Sequence, residues 1–492
     1  MTASLRSREP VLVGIGVATQ RGDDPLTGKD PLGLMLEATR AAGADAGDAR
    51  LLSDVARVYV PQGRWRYGDA GGYIARSVGA SRATSIMSKV GVLQQSLIGE
   101  ACVLIASGEI EAALVVGGEA GHRRRRGELA GIGLPSTDAP GSPDVVLRPD
   151  DELLLDVERD SGLGHMAVGY YAIVESAFRA ASGIGVEAHR RAVASLYHRM
   201  SETAARNPAA WNRTPVSEAQ ILDATGRNRM LAFPYSVLHN ASWSVDQAAA
   251  LLFCSQATAE RFAIPPEKWV FPLSSSESNH ITSVSSRVEL GRCPGAVIAG
   301  SAALDHAGLA VADLDRVDLY SCFPVAVETY AAGLGIPLDG ELTVTGGMPF
   351  AGGPFNNYVL QSTARMAQLL RESPGSRGLV TSVSGVLTKQ GFGVWSSGGP
   401  NPAGFASLDV TDRVRREQAV APVVGDWRGH ATIAGVTVLS EHTPPRAVAV
   451  VDVDGGARTV AWSDSPEVVS TFQAEECCGR SVDIEERTFR FL

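Results

Sequence analysis

Two side chains that could do chemistry stand close together in the segment Asp318-Leu319-Tyr320-Ser321-Cys322-Phe323. The phenol of Tyr320 can transfer a proton, and the thiol of Cys322 can act as a nucleophile once it is ionised. Both residue types are also common in cores, where a tyrosine hydroxyl needs one hydrogen bond and a thiol without a neighbouring cation stays inert. The segment therefore predicts a proton-transfer site, an acyl-transfer site or a buried stretch of core.

The basic run His122-Arg123-Arg124-Arg125-Arg126 is the other candidate for chemistry. It follows directly on an apolar stretch that predicts a buried strand. Guanidinium groups bind phosphate oxygens through two parallel hydrogen bonds. The run therefore predicts either a clamp for a phosphorylated ligand or a solvated loop.

Composition excludes several classes of protein. The chain has 492 residues, 45% of them hydrophobic, and a formal charge of −10. Such an acidic chain does not match a dedicated nucleic-acid binder, which needs a basic face. The six cysteines are scattered and form no CxxC pair. The sequence therefore predicts neither a disulfide framework nor a metal site, and a reducing cytoplasm fits best.

The first residues predict a β-strand from Val11 to Ala18 and not a signal peptide, because two glycines interrupt the apolar run. No apolar stretch approaches the roughly 18 residues that a membrane span needs. We therefore expect no membrane partner.

The stretch from Lys89 to Ala120 predicts the centre of the fold. Apolar and small residues recur at three- and four-residue spacing up to Gly108, which indicates a helix packed on most of its sides. The next run, from Ala112 to Val116, is continuously apolar, as in a strand covered on both faces. A buried helix beside a buried strand predicts a layered α/β core.

The pattern of this half returns later in the chain. A helix ending in Ala-Gly, a spacer and an Asp before an Arg-Val strand occur at 38–60 and again at 301–320. The glutamine-bearing helix start at 94–97 and its following strand likewise match the stretch 358–382. These repeats predict two similar βαβ halves packed together.

Two segments depart from the repeat. Residues 121–235 are proline-rich loop followed by helices, one of them predicted from Glu187 to Arg206. After a Gly-Pro linker, short β-type runs predict a small antiparallel barrel of five or six strands with its own core, similar to oligonucleotide-binding barrels. That segment has fourteen acidic residues, nine arginines and no lysine, which disfavours nucleic acid.

We therefore predict three domains, which span residues 1–265, 266–404 and 405–492. The insertion at about 121–235 belongs to the first of them.

The order of motifs over residues 1 to about 404 resembles the thiolase superfamily. Within it the chain is similar to the thiolase-like proteins of type 1, which are related to sterol-carrier-protein thiolases and are often labelled acetyl-CoA acetyltransferases. The motifs are Leu93-Gln94-Gln95-Ser96-Leu97, Ser107-Gly108 with the strand and Gly117-Gly118-Glu119 after it, Asn207-Pro208-Ala209-Ala210-Trp211, Asn240-Ala241-Ser242 with an alanine-rich helix expected from Val245, Asp318 to Pro324, and Thr345-Gly346-Gly347. The resemblance implies a duplicated five-layer thiolase fold with a helical loop domain.

The chain departs from the family at positions that the resemblance identifies as catalytic. Gly91 stands where the family has its nucleophilic cysteine, Gly353 where it has a histidine, and Val383 or Ser384 where it has a second cysteine. Tyr320 replaces the asparagine of the family's Asn-Glu-Ala-Phe segment. These replacements imply a thiolase shape without thiolase chemistry.

The resemblance also implies a ligand, which is a coenzyme A ester bound as substrate or ligand, with no covalently bound cofactor. Ser242 and Phe323 stand where the family holds the pantetheine part, Met348 is a further residue expected to bind coenzyme A, and Arg123 and Arg124 could meet the phosphates. Such a ligand implies a role in lipid metabolism.

Three functions follow from these observations. The first is an acyl-CoA or acyl-thioester binding protein without cysteine-based acyl transfer. The second is a carbon-carbon lyase of the retro-aldolase kind, in which Tyr320 handles a proton. The third is an acyltransferase in which Cys322 serves as a displaced nucleophile. A fold alone does not decide among them.

Overall fold

The strands form two open sheets and a larger sheet that closes into a barrel, in the part of the chain that the computed structural model describes, residues 7–22, 24–149 and 153–492. The strands are β1 (Pro10–Thr19), β2 (Arg57–Pro61), β3 (Thr84–Ser88), β4 (Ala112–Ala120), β5 (Val145–Leu147), β6 (Met230–Ala232), β7 (Tyr235–Ser236), β8 (Asp246–Ser255), β9 (Phe271–Ser278), β10 (Arg316–Asp318), β11 (Arg377–Ser384), β12 (Lys389–Ser396), β13 (Ser407–Asp409), β14 (Gly429–Leu439), β15 (Arg446–Val453), β16 (Ala457–Ser463), β17 (Ser481–Glu485) and β18 (Thr488–Phe491). The α-helices are α1 (Pro31–Asp45), α2 (Ala70–Ser77), α3 (Gln94–Ser107), α4 (Gly121–Ala130), α5 (Asp156–Glu158), α6 (Ala167–Ala181), α7 (Val186–Arg206), α8 (Glu218–Leu222), α9 (Gln256–Arg261), α10 (Pro294–Ala307), α11 (Pro324–Leu334), α12 (Tyr358–Glu372), α13 (Thr411–Glu417) and α14 (Pro466–Ala474).

The first sheet has the strand order β1-β8-β4-β2-β3-β5. Every residue of β4 is buried, as the continuously apolar run predicts. Helix α1 packs so closely on one face of the sheet that a Cβ atom at Gly16 would lie only 1.9 Å from the Ala38 carbonyl oxygen. Helix α3 covers the other face and ends at Gly108, whose φ of 78° is the left-handed conformation that glycine adopts at no steric cost.

Residues Asp246–Ser255 form strand β8, so the prediction of a helix from Val245 is wrong. β8 lies in the sheet between β1 and β4 and pairs antiparallel with both of them along its length. Alanine favours helices, but here two neighbouring strands satisfy the backbone groups of β8, and its small side chains let α1 and α12 approach its two faces. Tertiary pairing therefore outweighs the local preference.

The second sheet, β10-β11-β12-β9-β13, repeats the plan of the first. Helices α3 and α12 lie between the two sheets and share one apolar cluster with both of them. With α1 on the outside of the first sheet and α10 on the outside of the second, this stacking gives the five layers that the resemblance implies. The predicted duplicated α/β fold is confirmed.

The predicted small barrel is also confirmed, and it has five strands. They close in the order β14-β15-β16-β18-β17-β14, with α14 between β16 and β17. Most neighbours are antiparallel, but β16 and β18 pair in parallel. The barrel interior is a separate apolar cluster, as expected.

The outer face of the barrel, however, belongs to the main core of the protein. Four of its apolar residues lie in the same buried cluster as the α/β core: Leu439, Val448, Val450 and Val460. Strand β14 approaches α6 so closely that a Cβ atom at Gly435 would lie 2.9 Å from Ile173 Cγ2. The Ser176 hydroxyl accepts a hydrogen bond from the Val436 amide at 2.7 Å. The expectation of two fully separate cores is therefore corrected.

The insertion supplies α4 to α8, and α7 (Val186–Arg206) is the helix that the sequence predicts there. Its strand β5 pairs with β3 and so covers the outer edge of the first sheet. No helix within residues 7–22, 24–149 or 153–492 is both long enough and apolar enough to span a bilayer.

Candidate functional site

A cavity of about 330 Å³ lies where α3 and α11 begin and where the insertion folds back on the α/β core. Its walls are mainly apolar, with a few polar groups among them, which is the usual make-up of a small-molecule site. The residues that line it are Val90, Gly91, Val92, Gln94, Leu153, Leu154, His165, Met166, Ala167, Val168, Tyr170, Tyr171, Asn240, Ala241, Trp243, Tyr320, Cys322, Phe323, Met348, Gly353, Pro354, Phe355, Asn356, Val383, Ser384, Gly385 and Val386.

The cavity brings together most of the site residues that the sequence predicts. They come from segments far apart in the chain: Gly91, Tyr320, Cys322, Phe323, Met348, Gly353 and Val383. Ser242 is not among the lining residues, although Ala241 and Trp243 on either side of it are. The backbone of Ser242 instead holds the wall, because its amide donates to the Met348 carbonyl at 3.1 Å and its carbonyl accepts from the Gly353 amide at 2.9 Å.

Gly91 occupies a tight loop in which a side chain has little room. Its φ of 102° lies in the region that favours glycine, and a Cβ atom there would lie 2.9 Å from Pro149 Cγ. The ammonium group of Lys389 donates to the Gly91 carbonyl oxygen at 3.0 Å. This loop therefore presents backbone, and no nucleophilic side chain, to the cavity.

Tyr320 lies just beyond the end of β10 with its ring edge-on to Tyr358, at a centroid distance of 5.7 Å. The backbone amide of Tyr320 donates to the Thr381 hydroxyl at 2.8 Å. No hydrogen bond from another described residue contributes to the pKa of its phenol, which burial raises above the ordinary value. At neutral pH Tyr320 is therefore a neutral donor that faces a ligand space and is not a base.

Cys322 stands beside Tyr171 on the cavity wall. Burial raises the pKa of the Cys322 thiol to about 12, although a hydrogen bond with the Tyr171 side chain acts in the opposite direction. The Tyr171 ring stacks on Phe323 at 4.3 Å, which fixes both rings in the wall. Because a thiol is a weak nucleophile when it keeps its proton, this environment does not activate Cys322.

The two arginines predicted to meet phosphates are engaged elsewhere. Arg123 is buried, and its guanidinium donates to the carbonyl oxygens of Pro25 and Pro135, each at 2.8 Å. Arg124 lies 3.6 Å from the buried carboxylate of Glu119. Neither residue lines the cavity, so the predicted clamp is not formed by these two side chains. Both residues follow β4 directly in the sequence, but in the folded chain their side chains contact other protein groups and do not face the cavity.

Two residues at the mouth of the cavity escaped the sequence reasoning. Arg64 is exposed, and its guanidinium carbon lies 5.5 Å from the ring of Trp243 and 5.8 Å from that of Phe355, both of which line the cavity. His165, also exposed, lines the cavity itself. The interleaved Arg and Trp after β2 are the signal that could have identified Arg64, whereas nothing local marks His165.

The helix starts give the cavity its polarity. Neither α3 nor α11 has a side chain that caps its first turn. Their first-turn N–H groups and the positive ends of their dipoles lie at the cavity wall, where Gln94 and Phe323 line it. The wall can therefore polarise a carbonyl oxygen, as of a thioester.

A second group of titratable side chains lies outside the cavity. Glu175, His189 and Glu328 come from three helices, and their ligand atoms lie within 4.8 Å of one another. Their donor types suit a divalent metal ion, although the sequence spacing predicts none. Glu175 is already hydrogen-bonded through one oxygen to His189 and through the other to Tyr235. Glu328 lies beside both residues, with its Oε1 atom 3.7 Å from His189 Nε2.

The two carboxyl groups of this cluster share one negative charge. Burial opposes ionisation of Glu175, but hydrogen bonds from His189, Tyr235 and Glu328 hold its pKa below the ordinary value. Burial and the charge on Glu175 hold the pKa of Glu328 well above the ordinary value. Glu328 therefore keeps its proton and donates it to ionised Glu175. Sequence reasoning missed the cluster because its members meet only through helix packing.

Solved structures with similar folds are known, although no family model and no curated protein matches the chain. The chain is similar to a monomeric SCP2-thiolase-like protein type 1 from Mycobacterium smegmatis, with 28% sequence identity and a TM-score of 0.83 over 99% of each chain. An Ltp2–ChsH2(DUF35) aldolase matches 80% of this chain with 99% of its own, at 17% identity and a TM-score of 0.60. The dimeric peroxisomal thiolase of Saccharomyces cerevisiae matches 80% of this chain with all of its own, at 15% identity and a TM-score of 0.54. The last two likenesses show the fold alone.

Proposed function

Because the chain belongs to the thiolase superfamily and is related to the SCP2-thiolase-like proteins of type 1, we propose that it binds an acyl thioester of coenzyme A without transferring the acyl group through a cysteine. One observation carries the proposal. Gly91, Gly353 and Val383, three positions at which the family resemblance implies reactive side chains, lie together on the wall of one apolar cavity.

The cavity suits each part of such a ligand. Its apolar walls match an acyl chain and the pantetheine arm, and the uncapped starts of α3 and α11 can accept the thioester carbonyl. Arg64 lies over the aromatic rings at the mouth with its guanidinium in solvent, where the phosphates of coenzyme A would emerge. In this proposal Arg64 takes the role that the sequence suggested for Arg123 and Arg124.

The cavity does not supply the reactive groups that cysteine-based acyl transfer needs. Transfer needs a thiolate to form the acyl-enzyme and a base to activate it. Cys322 supplies the only thiol among the described lining residues, and its raised pKa keeps it protonated. These two facts also argue against the alternative in which Cys322 is a displaced nucleophile.

We expect acetyl-CoA to bind weakly, at millimolar concentration or below, and thiolysis of 3-ketoacyl-CoA to stay at the uncatalysed rate. Isothermal titration calorimetry and a thiolysis assay on the same preparation measure both. Arg64→Gln should weaken acetyl-CoA binding about threefold to tenfold, because a charge-assisted contact to phosphate is lost. It should not change the binding of acetyl-pantetheine, which lacks the nucleotide.

The matched control is Arg124→Gln, which removes the same charge next to Glu119 and should leave both affinities unchanged. Thiolysis that disappears in Cys322→Ala would contradict the proposal and establish a displaced nucleophile. Absence of acetyl-CoA binding at millimolar concentration would reject a coenzyme A ligand altogether.

A second candidate, a retro-aldolase acting on a 3-hydroxyacyl thioester, is favoured by the free hydroxyl of Tyr320 in the cavity. In that reaction a base removes the hydroxyl proton, the bond between Cα and Cβ breaks, and its electron pair forms a thioester enolate that is then protonated at Cα. Tyr320 keeps its proton at neutral pH and is placed to give it to the enolate. His165 is a candidate for the base, because it lines the same cavity.

Tyr320→Phe tests this candidate and removes one oxygen atom. If the cleavage occurs, we expect its rate to fall about 10²- to 10⁴-fold in the variant, which is the usual contribution of one acid–base group. Ligand affinity should be unchanged, and the free energy of unfolding should change by less than about 0.5 kcal/mol, because no protein hydrogen bond is lost. The assay follows aldehyde release from 3-hydroxyacyl-CoA. Cleavage that survives undiminished would exclude Tyr320 as the proton donor.

A further inference from the structure

A polar cavity of about 200 Å³ lies away from the thioester cavity, where β10 begins beside α7 and α12. Its wall contains three arginines, Arg206, Arg316 and Arg365, and two acidic residues, Asp315 and Glu341. None of its lining residues belongs to the cavity around Tyr320. A ligand bound in this polar cavity would therefore occupy a different site from the proposed acyl thioester.

Two of the arginines, Arg316 and Arg365, are half-buried and have donor atoms without a partner. The Nε atoms of Arg316 and Arg365 are both buried without a hydrogen-bond partner. Arg365 donates only to the neutral Gln368 side chain, at 3.1 Å, and no ion pair involves either guanidinium within the described ranges. A buried donor without a partner costs about 1 to 3 kcal/mol, so a ligand that accepted from these two atoms would stabilise the folded chain.

The acidic residues in the wall form no ion pair with Arg316 or Arg365. Asp315 accepts from the backbone amide of Arg377 at 2.8 Å, and Glu341 pairs with Arg206 at 3.2 Å. The pKa of Arg365 is lowered by burial and by the like charge of Arg316, although exposed Glu372 acts in the opposite direction. The two guanidinium groups therefore repel each other across this space, and no carboxylate among the described residues lies within ion-pair distance of either one.

We propose that Arg316 and Arg365 form a binding site for a phosphate group. Two guanidinium groups directed at one space present more N–H donors than the two oxygens of a carboxylate can accept, whereas a phosphate group offers more oxygens and more negative charge. A cavity of 200 Å³ has room for a phosphate ion or for the phosphate end of a larger molecule. Orthophosphate and a phosphomonoester share this chemistry, and the experiment below separates them.

The test measures the thermal midpoint and the calorimetric affinity of the full chain with sodium phosphate, AMP, sodium acetate and sodium chloride at equal ionic strength. We expect phosphate to raise the midpoint more than chloride or acetate, because a ligand that binds only the folded state stabilises it. AMP binding as well as phosphate identifies a phosphomonoester site, and phosphate alone identifies an inorganic ion site. Arg316→Gln and Arg365→Gln should each weaken binding at least tenfold.

Arg191→Gln is the matched control, because Arg191 is an exposed arginine on α7 that pairs with Glu187. It should leave phosphate binding unchanged. In phosphate-free buffer Arg316→Gln should unfold at the same temperature as the parent protein or at a higher one, since the substitution relieves repulsion. Equal effects of phosphate and chloride, undiminished binding in both variants, or strong destabilisation of both without phosphate would each overturn the proposal.

Discussion

Removing residues 405–492 is expected to leave a chain that no longer unfolds cooperatively and that exposes apolar surface. The barrel covers part of the main core, since Leu439, Val448, Val450 and Val460 lie in the same buried cluster as the α/β layers. Burying a side chain of this size stabilises a protein by about 1.5 to 3 kcal/mol. Four of them together are comparable with the whole stability of a typical domain, about 5 to 15 kcal/mol.

Polar contacts across the same interface add to this expectation. The buried Arg179 forms an ion pair with Glu476 at 3.0 Å, and it would be left without this partner. Strand β13 pairs with β9, so a cut after residue 404 also strips an edge strand from the second sheet. Truncation therefore leaves a buried cation and an open sheet edge as well as uncovered apolar residues.

Urea denaturation, dye binding to exposed apolar surface and size-exclusion chromatography measure the outcome. A second truncation, which ends at Gly425, spares β13 and separates the loss of the barrel from the loss of that strand. The control is the full chain with a protease site inserted after the exposed Gly425, cut but not separated. We expect the cut protein to stay folded, because the barrel can remain docked. A truncated chain with a sharp, parent-like unfolding transition would show that the interface contributes little.

The second large effect is expected at the carboxyl pair behind the cavity. His189→Leu removes the hydrogen-bond partner of ionised Glu175 and should lower the free energy of unfolding by about 3 to 5 kcal/mol, because it leaves a buried carboxylate without that partner. Glu328→Gln keeps the shape and a donor for Glu175, so at pH 4 it should cost less than about 1 kcal/mol. Urea titrations of the three proteins measure these differences.

The same pair predicts a pH dependence whose sign is fixed. A carboxyl whose pKa is raised by folding binds its proton more tightly in the folded chain than in the unfolded chain. Its contribution to the free energy of unfolding therefore falls as pH rises above the ordinary value of 4.5, by about 1.4 kcal/mol per pH unit. Glutamine at position 328 removes this loss, so Glu328→Gln should gain stability relative to the parent as the pH rises from 4.5 toward the raised pKa of Glu328 in the folded protein. A constant difference across that range would show that Glu328 is ionised in the folded protein.

Helix α6 of the insertion connects the barrel interface with the carboxyl pair of Glu175 and Glu328. Helix α6 carries Glu175 toward the core and Ser176 toward the barrel, and it begins next to His165 and Met166 at the cavity mouth. The cavity, the carboxyl pair and the barrel interface thus lie on one helix. Substitutions on α6 are therefore expected to affect stability and ligand binding together.

The sequence by itself determined the layered core. Its evidence was local, because a continuously apolar run such as Ala112 to Val116 has to be buried on both faces, and an αL glycine such as Gly108 ends a helix wherever it lies. The repeated pattern likewise predicted two halves. The order of motifs also selected Gly91, Gly353 and Val383, which the fold then brings to one cavity.

Only the tertiary structure decided the features that depend on partners distant in sequence. Asp246–Ser255 became a strand because β1 and β4 satisfy its backbone on both sides, which no local alanine preference reveals. Arg123 became a buried structural residue, and Arg64 came to lie over Trp243, because side-chain environment is set by whichever segment folds alongside. Glu175, His189 and Glu328 are separated by many residues and meet only through the packing of three helices. Spacing in a sequence records the geometry within one element, whereas a site between elements exists only once the elements are packed.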